Sequence, residues 1–114
     1  MTTKAEALSH LLYYHAPIDE LVHSLEQIPW DAEEPLVVLT PVHLARVLSR
    51  YMQGEITAQE LEDWANAIEG REDIAYETAH KAAIAEAIYQ LANPLLTQAI
   101  TPASIQQLVA VLAA

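Results

Sequence analysis

Helix punctuation constrains this chain more than any other feature of its sequence. Only two glycines occur, Gly54 and Gly70, and each follows a stretch of helical periodicity, one ending near Met52 and one near Glu69. Glycine takes up left-handed backbone at no steric cost, which suits it to the position just past a helix end. Start signals complement these stops. Thr3-Lys4-Ala5-Glu6 and Thr57-Ala58-Gln59-Glu60 hold threonine and glutamate three apart. At that spacing the two side chains satisfy each other's backbone N–H groups. Thr40-Pro41 and Thr101-Pro102 place a capping residue before a proline, whose missing N–H and fixed φ suit the first helical position. The composition agrees, with 20 alanines, 15 leucines and no phenylalanine.

Apolar residues recur at helical spacing between these signals. Ala5, Leu8 and Leu12 line a first face. Ile18, Leu21, Val22, Leu25 and Ile28 follow Pro17, and Leu44, Val47, Leu48 and Tyr51 follow Pro41. Leu61, Trp64, Ala65 and Ile68 form the next stripe, Ile84, Ile88, Leu91 and Leu95 another, and Ile105, Leu108, Val109 and Leu112 the last. Each is the core-facing stripe of an amphipathic helix. The expectation is an all-α fold: a compact bundle of five or six short helices, one domain over residues 1–114.

The segment from Ile28 to Thr40 resists this pattern. Pro29, Pro35 and the acids Asp31, Glu33 and Glu34 read as a loop, with Trp30 plugging a bundle end or serving as an exposed binding anchor. Leu36-Val37-Val38-Leu39 has strand propensity but no visible partner strand. It reads as an extended apolar run tucked against the bundle, the alternative being an edge strand that pairs across a dimer.

Acids outnumber bases 16 to 5, for a net charge of −11, and protonating all five histidines would still leave −6. Such a chain is unsuited to nucleic acid or an anionic membrane. Cysteine is absent, which excludes disulfides, thiolate metal sites and thiol catalysis and fits a reducing compartment. The longest apolar run, LVAVLAA, falls short of the roughly 18–20 residues that span a bilayer, and no secretory signal opens the chain. A cytoplasmic location follows as the expectation. The apolar residues 108–114 also suggest a homodimer that buries this end, and the final Leu-Ala-Ala is similar to the terminal tag that bacterial unfolding proteases read.

Motifs of catalysis are missing. No serine sits in a glycine-flanked elbow, no phosphate loop is possible with two distant glycines, and no two histidines are four apart. No cofactor is implied. Two Glu-x-x-His pairs occur, Glu20 with His23 and Glu77 with His80. Three-residue spacing puts both side chains of a pair on one helix face, as in di-iron bundles, which need further glutamates from two other helices. Glu20 and His23 lie opposite the apolar stripe and should face water. Glu77 and His80 lie in line with Ile84 and Ile88, at the mouth of the core. They are the residues on which an alternative reading, a small enzyme or metal-binding helical protein, would rest.

Charge is concentrated instead. Residues 55–77 hold eight acids and one base, Arg71. The first functional reading is an acidic binding or regulatory protein whose face docks a basic protein partner, through Glu55, Glu60, Glu62, Asp63, Glu69, Glu72 and Asp73. The competing reading is a solvated surface that keeps the protein soluble.

The stretch YMQGEITAQELEDWANAIEGREDIAYE, with the preceding PLVVLTPVHLARVL, resembles a segment of small bacterial all-helical proteins of unassigned function. Its marks are a Tyr-x-x-Gly-Glu-Ile turn, then Glu-Leu-Glu-x-Trp-Ala-Asn, then Arg-Glu-Asp-Ile. The likeness covers residues 35–77. It implies a bacterial, cytoplasmic, helical protein and carries no activity to any position. The acidic character is also similar to that of immunity proteins that neutralise basic nuclease toxins, so an immunity- or antitoxin-like role is the specific form expected. Within the segment, Ile56 precedes the Thr57 cap and can staple onto Leu61, and Arg71 can pair with Glu69 or Asp73.

Overall fold

The computed structural model describes residues 4–26 and 35–113. Helices α1 (Lys4–Tyr13) and α2 (Ile18–Glu26) come first, followed by a short strand β1 (Val37–Leu39). Helices α3 (Pro41–Met52) and α4 (Ala58–Ile68) lead to a second strand, β2 (Ile74–Tyr76). A 3₁₀ turn (Thr78–His80) enters α5 (Lys81–Ala92), and α6 (Pro102–Ala113) closes the chain. The result is an all-α bundle carrying one small sheet. No helix among the described residues is long and apolar enough to cross a membrane. The expected Thr3 cap, Ile28 and Trp30 lie outside the described residues.

The expected caps at Thr40, Thr57 and Thr101 form. Thr57 Oγ1 accepts from Glu60 N–H at 3.1 Å while Glu60 Oε1 accepts from Thr57 N–H at 2.9 Å. Thr40 does the same with His43, whose Nδ1 accepts from Thr40 N–H at 3.0 Å, so a histidine takes the glutamate's place. At α6, Thr101 Oγ1 accepts from Ser104 N–H at 3.2 Å and Ser104 Oγ accepts from Thr101 N–H at 3.0 Å. Gly54 and Gly70 have φ of 80° and 79°, the left-handed backbone anticipated past α3 and α4.

Tyr14 ends α1 without glycine, at φ 54°. Its N–H donates to Leu11 O and the His15 N–H to His10 O, the bond pattern that Gly54 and Glu55 repeat after α3. Arg50 holds the strained residue in place. Its Nη1 donates to the Tyr14 carbonyl at 2.6 Å, and its guanidinium lies 5.1 Å from the ring centroid.

The apolar run at Leu36–Leu39 has a partner within the chain. β1 and β2 pair in parallel, Val37 with Ile74, Val38 with Ala75 and Leu39 with Tyr76. A parallel pair needs a long crossover, and here α3 and α4 supply it. The ladder extends by Leu36 N–H to Asp73 O at 2.8 Å and Glu77 N–H to Leu39 O at 2.9 Å. A three-residue strand shows too little periodicity to be recognised beforehand.

The buried side chains form one core. Trp64 sits at its centre, fully buried, with Nε1 donating to Leu11 O on α1 at 2.7 Å. Ile56 and Leu61 are both buried at the two staple positions. Leu95 departs from its expected stripe and is fully exposed. The helix stops at Ala92, because Pro94 cannot supply the next N–H, and the periodicity ends with it.

Candidate functional site

The seven acids expected to form one docking face differ in burial and in the partners that hold them. Glu55 and Glu72 are exposed beyond helix ends. Glu60 is held by the Thr57 cap, and Glu69 Oε2 accepts from Asn93 Nδ2 at 3.1 Å. Glu62 and Asp63 are half-buried on α4, where Asp63 Oδ1 accepts from Gln59 Nε2 at 2.9 Å.

Asp73 does not belong to that face, because it is 1% exposed. Its two oxygens accept from Arg71 Nε at 2.9 Å and Nη2 at 3.0 Å, and Lys4 Nζ lies 3.3 Å away. Burial pushes this carboxyl up. The Arg71 hydrogen bonds and charge, followed by Lys4, outweigh burial and hold it below the usual 3.8. The acid is thus a tie between the start of α1 and the entrance to β2.

A groove instead forms where α2 packs on α4. It measures about 520 Å³ and is lined by Ile18, Asp19, Val22, His23 and Glu26 from α2 and by Asp63, Asn66 and Ala67 from α4. Ile18, Val22 and Ala67 give it an apolar floor. Asp19, Glu26 and Asp63 rim it with carboxylates, and none of the described lining residues is lysine or arginine. Of the seven anticipated acids only Asp63 is here. Asp19 and Glu26 were missed, and His23 was read only as part of a Glu-x-x-His pair, although their spacing of four and three already placed the three on one face of α2.

Acids at this end also act on a buried group, Tyr14. Tyr14 is buried, and its hydroxyl has no hydrogen-bond partner among the described residues. Burial and then Glu60 push the phenol up to about 12, with smaller contributions from Asp63 and Asp19 against the opposing charge of Arg50.

The Glu77 and His80 pair does meet. His80 Nδ1 is 2.6 Å from Glu77 Oε1, with both side chains more than a third exposed. Their place is the 3₁₀ turn ahead of α5. Among the described residues, no three His, Cys, Asp or Glu side chains gather as a metal site. Glu20 and His23 are exposed as anticipated, with His23 turned to the groove. A second hollow, about 610 Å³, runs beside β2 past Arg71, Tyr76 and Lys81. Burial, and then Glu69, raise the Tyr76 phenol above its ordinary 10.

No protein family, curated protein or solved structure matches the chain.

Proposed function

We propose that the protein is a binding module that docks a basic, amphipathic helix of a partner protein in the α2/α4 groove. The observation that carries this reading is the pairing of an apolar floor with a rim of three carboxylates. Apolar side chains of the visiting helix would fill the floor. Lysines or arginines beside them would meet Asp19, Glu26 and Asp63, a recognised mode of helix-in-groove binding. The chain's net charge of −11 would steer a basic partner inward before contact. An immunity- or antitoxin-like protein, which holds a basic partner inactive, is the regulatory form of this proposal.

The test is a titration of ¹⁵N-labelled protein with a synthetic helical peptide carrying one leucine face flanked by lysines. The expected shift changes cluster at residues 18–26 and 63–67. Binding should weaken between 0.1 M and 1 M salt, as the screening length falls from about 10 Å to about 3 Å. The triple variant Asp19→Lys, Glu26→Lys, Asp63→Lys should lose binding with its circular dichroism unchanged. Glu60 is left intact because it caps α4. A peptide that binds the triple variant as well as the parent, or that maps to another face, refutes the proposal.

A further inference from the structure

We infer that a second copy of this chain docks on the outer face formed by α3 and α6, giving a reversible two-fold dimer. Opposite its buried stripe, α3 carries a second and exposed one: Val42, Ala45, Ser49 and Met52. The spacing of three, four and three is the seam by which helices pack in coiled coils. Alongside lies a hollow of about 280 Å³, lined by Ala45, Ser49 and Met52 from α3 and by Gln106 and Val109 from α6. Three large apolar side chains stand open on this face: Val42 at 58%, Met52 at 38% and Val109 at 36% exposed.

Charge identifies the occupant. The last charged side chain in the sequence is Glu86, so α6 has none, and the α3 stripe has none either. Arg46 and Arg50, the two cations of α3, are engaged with α1. The Arg46 guanidinium stands 5.7 Å from the Tyr13 ring centroid, and Arg50 is bound to the Tyr14 carbonyl. A basic partner would therefore find no carboxylate on the α3 stripe or on α6. A second copy brings another −11, and it can approach closely only where the facing surface lacks acids.

The stripe is also symmetric about residue 47. An antiparallel copy would set Val42 against Met52 and Ala45 against Ser49, twice over. Each contact is then reciprocal, as a two-fold interface requires. The small pair lies at the centre and allows close approach, while the large pair fills the ends. Each helix has 12 residues and so runs about 18 Å, which makes the face small for a permanent dimer. The association is accordingly weak.

Sedimentation equilibrium of the full chain from 10 µM to 1 mM tests this. The expected result is a monomer–dimer equilibrium that tightens several-fold as salt rises from 0.05 to 0.5 M, because salt screens the repulsion between copies. This is opposite in sign to the salt effect expected at the α2/α4 groove. Ala45→Glu with Ser49→Glu should leave a monomer at every concentration, with unchanged helicity and melting temperature. Mixing the single variants Ala45→Lys and Ser49→Glu should restore association beyond that of either alone, since these positions face each other across the axis. A parent that remains monomeric at 1 mM overturns the inference. So does a dimer that salt loosens, one that survives the double glutamate variant, or a mixture that fails to associate.

Discussion

Truncating Trp64 to alanine removes the largest fully buried side chain of the core. A tryptophan buries about 150–250 Å², and the alanine methyl replaces little of it. At roughly 25 cal/mol per Å², the lost transfer free energy is about 4–6 kcal/mol. Truncations of buried aromatics to alanine cost about 3–5 kcal/mol in practice, the range expected here. The lost hydrogen bond to Leu11 O adds only about 1 kcal/mol. That carbonyl keeps the Tyr14 N–H at 3.1 Å and is not orphaned. Domains of this size have about 5–15 kcal/mol in total, so Trp64→Ala stands near the edge of folding. Trp64→Phe gives a measurable companion, since it retains a ring but loses the indole N–H and part of the volume. It should cost about 1–2 kcal/mol. Urea unfolding followed by far-ultraviolet circular dichroism measures both, because tryptophan fluorescence is itself altered by the substitutions. If both variants unfold within about 0.5 kcal/mol of the parent, Trp64 does not anchor α4 to α1 and the account of the core is wrong.

Two further outcomes follow from the caps. Thr57→Ala should cost about 1 kcal/mol through the reciprocal bonds with Glu60, read as a lowered urea midpoint at constant slope. His43 makes the α3 cap sensitive to pH. Burial, and then Arg46, hold its imidazole below the ordinary 6.5, and Nδ1 must be unprotonated to accept from Thr40 N–H. The unfolded chain therefore takes up this proton more readily than the folded one. The contribution is complete above pH 6.5 and is lost as pH falls from 6.5 through the lower folded value. His43→Gln supplies an oxygen in the same capping role and should flatten that part of the stability profile. An unchanged slope between pH 7 and 5 contradicts it.

Helix starts, helix stops and core stripes were legible in the sequence because their physics is local. Thr57 reaches Glu60 within one turn, Gly54 needs only its own backbone freedom, and Leu61, Trp64 and Ile68 share a face by the helical period alone. The same locality hid the stop at Tyr14, where Arg50, 36 residues away, stabilises backbone that usually calls for glycine. It hid β2 as well, since Ile74–Tyr76 becomes a strand only when α3 and α4 carry the chain back beside β1. Asp73 reads along the sequence as one more surface acid. Arg71, two residues away, was legible as its partner, but Lys4 arriving from the first helix and the closing of the sheet complete the buried site, because a charge leaves water only with its partners in place. The candidate groove follows the same rule. Composition and spacing determined an acidic helical protein, whereas the packing of α2 on α4 decided which acids meet. Asp19 and Glu26 join Asp63 across about forty residues of chain, a contact set by how the apolar faces interlock and not by any local preference of those residues.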